Sequence, residues 1–474
     1  MIERLSSGQG HLDTVLGGGL AASSINLIAG APGTGKTMLA AQYLFHNASA
    51  DRPGVYLATT TEPLDKMVRY GQELSFFDRA KIGTVVLYES LYEPLATGGL
   101  QAVLERLIDI LRDVRPGLIA IDSFKAFRPF AIDDLAHRRF VSELAGRLSA
   151  VQVNTFWVGE YASRELGETA EAAVADSIIV LRSSQQGQRT LRYLHVEKLR
   201  GGRFQTGEHA YRLSEHGLSV FPRLADPLDV ARPQPSAERI SLGSSELDGL
   251  ISGGVWAGTS TLVIGPSGAG KTMLALDFLT AGARAGRRGV FATLQETSSQ
   301  LARVLAGGRQ ASFDNLVEVH RRSPVDMYVD EWVHELLQVV EQSDAELLVV
   351  DSLSDLRLAS PDETRFEEYV YSLGQRCARM GTTVLLTLES RPAFAFAGAI
   401  GTSLSHVADN IVLIGYHVDG HLVRRAIHVL KSRGSAHDQA IREFVIGADG
   451  IAIGGEMAIE LELSNGGRPL IHAD

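Results

Sequence analysis

Two segments carry glycines, a lysine and a threonine at a spacing that suits a polyphosphate: Gly30-Ala-Pro-Gly33-Thr34-Gly35-Lys36-Thr37 and Gly265-Pro-Ser-Gly268-Ala269-Gly270-Lys271-Thr272. Both fit G-x-x-x-x-G-K-[ST], in which the glycines let backbone N–H groups converge on phosphate oxygens and the following helix adds its N-terminal donors and dipole. Lys36 and Lys271 supply mobile positive charge, and Thr37 and Thr272 offer a hydroxyl to magnesium. A carboxylate at the end of a neighbouring strand completes such a metal site, and Asp122 in LIAIDS and Asp351 in LLVVDS meet that requirement. A lone glycine turn of this form arises by chance, but two at matching places in a repeat do not. ATP and Mg2+ are therefore the expected ligands.

The elements that must position these residues occur twice. ERLSSGQGHLDTVLGGGL, from Glu3, recurs as ERISLGSSELDGLISGGV, from Glu238, and a constant offset pairs Asp13 with Asp248 and Lys36 with Lys271. A period this long means duplicated domains rather than a solenoid. The proline-bearing stretch between the copies has the composition of an extended linker. The expected organisation is a first domain over 1–224, a linker over 225–237 and a second domain over 238–474.

In the first copy, strands are expected at 24–30, 54–60, 84–90 and 117–123. Their near-continuous apolar character fits a parallel sheet with helices on both faces. Runs at 177–183, 189–200, 209–215 and 217–222 follow too closely for helical crossovers and should pair antiparallel. The second copy shows STLVIGP, GVFATLQ, LLVVDSL and TTVLLTL, then NIVLIGYHV, LVRRAIHVLKSR and EFVIGADGIAI. The fold class is α/β, with two tandem mainly parallel sheets, each carrying a C-terminal antiparallel extension.

At 474 residues the chain exceeds one ordinary core, while 45% hydrophobic and 21% charged residues describe a soluble globular protein. A net charge of −11 gives no long-range attraction for nucleic acid or anionic lipid. The single cysteine, Cys377, cannot form an intrachain disulfide and reads as a small core residue. The N-terminal stretch lacks a signal-peptide pattern and no apolar run is long enough to span a bilayer, so a cytoplasmic location with no membrane partner is expected.

With its tandem loops, the HLDTVLGGGL and ELDGLISGGV lead-ins, and strands ending EKLRGG and LKSRGSAHDQAIREF, the chain resembles the KaiC family of RecA-like ATPases from about residue 3 to residue 450. That resemblance implies ATP hydrolysis at the subunit interfaces of an ATP-dependent homohexamer, coupled to a regulatory protein partner. It also implies that a Lys-x-Arg pair reaches the neighbour's terminal phosphate. Lys198 with Arg200, and Lys431 with Arg433, are those pairs, and strand alternation would turn both members of each pair to one side. His437 would lie near the neighbour's ribose, where the first copy has Phe204.

The family usually carries two adjacent glutamates after the second strand, and hydrolysis needs a carboxylate to deprotonate the attacking water. Here Gln295-Glu296 keeps one, making Glu296 the candidate base. In the first copy Thr60 and Thr61 fill those places with Glu62 displaced by one residue. Glu62 would either face away, leaving the first domain slow or binding-only, or be restored to the site by a bulge. Clock proteins of the family phosphorylate an adjacent Ser-Thr pair. The matching segment here has Ser405-His406, so a two-site cycle is not expected, and Ser405, with Ser403 and Thr402, are the candidate single phosphoacceptors of a serine/threonine autokinase activity.

The competing reading is a RecA/RadA-like DNA-binding recombination ATPase. The loop segment 161–173 carries one arginine against three glutamates, and 390–403 carries Arg391 alone with Phe394 and Phe396. Single-strand binding needs cationic grooves as well as aromatic stacking, so this composition disfavours nucleic acid as a partner.

Overall fold

Ile25–Gly30 and Ser260–Gly265 are buried at every position, so each must run through the middle of a sheet covered on both faces. The computed structural model describes residues 3–59, 64–186, 189–224, 236–296, 298–305, 313, 315–324, 327–360, 362–390, 404, 407–419, 421–447 and 450–457. The chain divides into two units, Met1–Arg223 and Leu224–Asp474. Residues 225–235 of the expected linker lie outside the described residues.

Among the described residues, each unit builds a nine-stranded sheet. In the first unit the strands are β1 (Ile25–Gly30), β2 (Gly54–Ala58), β3 (Val86–Ser90), β4 (Leu118–Asp122), β5 (Asn154–Gly159), β6 (Ser177–Gln186), β7 (Arg189–Leu199), β8 (Glu208–Ser214) and β9 (Gly217–Phe221), in the order β9-β8-β7-β6-β1-β5-β4-β2-β3. The six from β6 to β3 are parallel, and β6 to β9 continue as antiparallel neighbours.

The second unit repeats this with β10 (Ser260–Gly265), β11 (Gly289–Thr293), β12 (Val317–Arg321), β13 (Leu347–Asp351), β14 (Thr383–Glu389), β15 (Asn410–Asp419), β16 (Leu422–Ser432), β17 (Arg442–Gly447) and β18 (Gly450–Glu456). The order is β18-β17-β16-β15-β10-β14-β13-β11-β12. The parallel sheet and its antiparallel extension are as expected. Within the two nine-stranded sheets, two strands were not: β5 in the first copy and β12 in the second. Trp157 in NTFWVG sits after a helix with no turn residues of its own, and VEVHR alternates with charged residues at a sheet edge, so neither stands out as an apolar run.

Side-chain alternation separates two cores on either face of each sheet. In the first unit Leu27, Val55, Leu57, Ile119, Ile121 and Trp157 pack on α2 (Tyr92–Asp113, broken at Gly99) and α3 (Asp134–Ala150). Ile28, Tyr56, Leu118, Ala120 and Phe156 face α1 (Lys36–Asn47), with Tyr43 stacked on Phe156 at a 4.8 Å centroid distance. In the second unit α4 (Lys271–Arg284) lies over Val263, Phe291 and Val349, while α5 (Val329–Gln342) and α6 (Glu363–Met380) cover Ile264, Val350 and Leu386. Cys377 is fully buried on α6, and burial pushes its thiol up to about 12, so it remains a neutral apolar filler. No helix among the described residues is long and apolar enough to cross a membrane.

Candidate functional site

Because parallel strands share a direction, the C-terminal ends of β1, β4 and β5 open onto one edge of the sheet, as do those of β10, β13 and β14. Each glycine loop leaves its strand at that edge and enters α1 or α4. A Cβ on Gly30 would strike the carbonyl of Leu181 on β6, and one on Gly265 that of Ile414 on β15. Gly35 and Gly270, at φ of 91° and 114°, hold the left-handed conformation that starts each helix. Neither helix start has a side-chain cap, so its first N–H groups remain directed into the loop.

The lysines fold back across these loops. Lys36 Nζ donates to the Ala31 carbonyl at 2.8 Å, and Lys271 Nζ to those of Gly265 and Pro266 at 2.9 and 2.8 Å. Burial draws both ammonium groups below the usual lysine range, opposed by Glu160 and Asp122 in the first site and by Glu389 and Asp351 in the second. Glu160 and Glu389 follow or end the equivalent strands β5 and β14. Sequence reading missed both: without strand β5 there was no reason to bring residue 160 beside residue 36, and Glu389 lies one residue past the expected run TTVLLTL.

The threonine and aspartate of each unit lie within hydrogen-bond reach. Thr37 Oγ1 donates to Asp122 Oδ2 at 2.6 Å, and Thr272 Oγ1 to Asp351 Oδ2 at 2.7 Å. These oxygen pairs are a hard-donor set that fits magnesium, with phosphate and water completing the coordination. Each aspartate also has a second donor that sequence reading missed. Tyr56 OH donates to Asp122 Oδ2 at 2.7 Å from β2, on one side of β4. In the second site Phe291 takes that place, and Thr387 on β14, the strand on the other side of β13, donates to Asp351 Oδ1. The only sequence signal is a polar residue within an otherwise apolar strand.

Glu296 lies just past β11, its backbone N–H donating to Thr293 Oγ1 at 3.1 Å. Burial and the nearby Asp351 charge raise its carboxyl above the usual glutamate range. Gln295, at the other expected glutamate position, donates to both Asp355 oxygens at 2.8 and 2.9 Å, and Asp355 also accepts from Ser352 Oγ at 2.8 Å. Residue 295 thus braces the turn after β13. Glu62 with Thr60 and Thr61, Ser405 with Ser403, Thr402 and His406, and Arg391, Phe394 and Phe396 lie outside the described residues.

The Lys-x-Arg pairs sit at corresponding places. β7 ends at Leu199, with a register shift opposite Ile178 and Ile179, so Arg200 stands beyond the strand and simple alternation does not set its direction. Lys198 Nζ donates to the Ala172 carbonyl at 3.1 Å, and Arg200 lies 3.5 Å from Asp176. Likewise Lys431 Nζ donates to Ala408 O at 2.7 Å, and Arg433 lies 3.7 Å from Asp409. Both arginines remain exposed. His437 lies close enough to His428 to oppose its protonation.

Of the three glutamates in 161–173, Glu171 is only 2% exposed, accepts from Tyr161 OH at 3.1 Å and lies 3.6 Å from buried His137. It belongs to the interior rather than to a loop surface. A cavity of about 620 Å³ runs from Lys36, Thr37, Asp122 and Glu160 to an apolar wall of Met38, Tyr70, Leu74 and Phe77.

Comparison with known proteins bears directly on these paired sites. The KaiC ATPase family model matches residues 5–225 and again 240–458, so each glycine loop falls within its own copy. The circadian clock oscillator protein KaiC of Picosynechococcus sp. is 28% identical over 464 residues, covering 93% of this chain and 88% of its own length. The circadian clock protein KaiC3 of Synechocystis sp. is 28% identical, covering 96% of this chain and 92% of its own. The circadian clock oscillator protein KaiC of Synechococcus elongatus is 27% identical, over 92% and 86%. Two phosphate loops, each with its lysine and threonine–aspartate pair, on sheets matched along nearly their whole length, place this chain in the KaiC family of ATPases.

Proposed function

We propose that the protein binds ATP with magnesium in both units, hydrolyses it at the subunit interfaces of a double-ring homohexamer, and passes its nucleotide state to a regulatory protein. The observation that carries this reading is the doubled arrangement of helix N-terminus, lysine and threonine–aspartate pair, with separations of 2.6 and 2.7 Å within the pairs.

A nucleotide is itself amphipathic. In the first unit the charged end of the cavity suits the phosphates, and its apolar wall suits the base. Gly30, Gly33, Thr34, Gly35, Lys36 and Thr37 would bind there, as would Gly265, Gly268, Ala269, Gly270, Lys271 and Thr272 in the second. Thr37 with Asp122, and Thr272 with Asp351, are the residues that would hold magnesium, which would supply neutralisation of the charge developing on the phosphoryl oxygens.

Glu296 takes the proton of the attacking water. Its proximity to Asp351 and its partial burial make it a stronger base than a free glutamate. In this reading the exposed Arg200 and Arg433 reach the terminal phosphate held by a neighbouring subunit, so that a ring rather than a monomer is the active form. In this reading the second unit performs most of the turnover, since its base lies beside its metal site.

Native mass measurement with and without ATP, together with phosphate release, tests the proposal. Hexamers that form with ATP and magnesium, with nucleotide in both units, are expected. Chain that retains no nucleotide in either unit at saturating ATP would remove the proposal. Phosphorylation at Ser405, implied by the resemblance, is a separate reading: a one-phosphate gain in intact mass that disappears in Ser405→Ala supports it, and an unchanged mass removes it.

A further inference from the structure

The lead-in that precedes each glycine loop grips the turn that follows each Lys-x-Arg pair. In the first unit Arg4 Nη2 donates to the Gly201 carbonyl at 2.8 Å and its Nη1 to Gly19 O at 3.1 Å. Gly201 directly follows Arg200, and at φ 76° it starts a left-handed turn. Four residues further on, the Gln205 N–H donates to Val15 O at 2.8 Å.

The second unit does the same work with different side chains. Arg239, which corresponds to Arg4, donates to Gly254 O at 2.6 Å and lies 3.5 Å over the ring of Trp256. The indole N–H of Trp256 then donates to the Gly434 carbonyl at 3.2 Å, so the tryptophan relays a contact that Arg4 makes directly. Gly434 follows Arg433 at φ 71°, matching Gly201. Ser252 Oγ adds a bond to Ala436 O at 2.7 Å, and the Asp438 N–H donates to Leu250 O at 2.8 Å, repeating the link between Gln205 and Val15. On the other side of each arginine, its own backbone N–H is fixed to Asp176 O or Asp409 O, at 2.8 and 3.1 Å.

We infer that Arg4 and Trp256 are positioning residues for the arginine clamps: each fixes the carbonyl of the glycine after the arginine and so sets where the guanidinium projects. Each arginine side chain is exposed beside an aspartate, and holding its backbone on both sides sets where that side chain starts and removes freedom that would otherwise be lost on engaging a phosphate. Divergent side chains converging on one glycine carbonyl, in two copies of one fold, point to the position of that carbonyl as the feature retained. The inference rests on the reading of Arg433 as a clamp acting on a neighbouring subunit.

The test uses the full chain, with the turnover lost in Lys271→Ala defining the share of the second unit. Trp256→Phe keeps a ring over Arg239 but deletes the N–H donor. It is expected to lower that share about fivefold through kcat, with KM for ATP and the thermal midpoint unchanged. Ser252→Ala, a change at an exposed position, should lower it about twofold in the same way. Arg433→Ala is the control and should remove most of the share. If Arg433→Ala is severe while Trp256→Phe and Ser252→Ala match the parent, or act only through the thermal midpoint, the positioning role is overturned and the clamp stands. If Arg433→Ala turns over like the parent, the clamp reading itself fails.

Discussion

The two glycine-loop sites share one backbone and differ in what surrounds the aspartate that pairs with the loop threonine. Asp122 is partly exposed, its threonine partner is exposed, and its second donor is a tyrosine from the strand toward the sheet edge. Asp351 is only 6% exposed, and its second donor is a fully buried threonine from the strand toward the sheet centre. Beside Asp351 stands a glutamate with a raised proton affinity, placed by two bonds to Thr293 from successive N–H groups. In these two copies the position of the carboxylate is kept while the means of holding it changes. Water can satisfy the carboxylate in the first site, so its protein donor matters less, whereas the enclosed second site depends on the donors the fold provides.

Removing each lysine in turn separates the two sites most strongly. Lys271→Ala should lower phosphate release by about 10³-fold in the second unit and take most of the total with it, while Lys36→Ala should chiefly weaken ATP-dependent assembly. Mass measurement and phosphate release on the two variants check this, and the reverse pattern would exchange the roles of the units.

Glu296→Gln should come next, lowering turnover about 10²-fold while nucleotide is retained. The same residue sets a pH response. Burial and Asp351 keep its proton on at pH values where a free glutamate, near 4.5, has lost it, and only the ionised form serves as base. Turnover should therefore fall on acidification starting above that value, and Glu296→Gln should abolish this limb. Magnesium offsets the Asp351 charge, so saturating metal should move the limb downward.

Smaller effects separate the two carboxylate supports. Thr387→Val leaves a buried Asp351 oxygen without its donor and should cost about tenfold in turnover, with a higher magnesium requirement. Tyr56→Phe, which installs in the first site the ring type found at Phe291, should change magnesium-dependent ATP retention by only about twofold, because Asp122 can take water instead. Magnesium titrations of both variants measure the contrast; equal effects would show that exposure does not govern it.

Much of the site was legible in the sequence because its chemistry is local. The glycine loops, Lys36, Lys271 and the two threonines lie in single segments, and Asp122 and Asp351 end apolar runs whose meaning follows once two loops are found. Residues whose role depends on a neighbouring strand were not legible. Tyr56 and Thr387 are ordinary strand residues until register places one diagonal to Asp122 and the other opposite Asp351. Glu171 looks like one more surface acid in a glutamate-rich segment, yet Tyr161 and His137 enclose it. At the equivalent places the second unit has buried Phe366 and Leu404, an apolar solution to the same packing.

The order of residues alone determined that there are two nucleotide loops, that they belong to a repeated α/β unit, and that each needs a carboxylate from a later strand. These are properties of spacing, and spacing survives without coordinates. The folded chain was needed to tell which side chains steady that carboxylate, which glutamate approaches each lysine, and how the lead-in reaches the turn after Arg200 and Arg433. Those contacts join residues from distant segments, such as Arg4 with Gly201, so they exist only once the sheet has fixed its register and brought its strand ends to one edge.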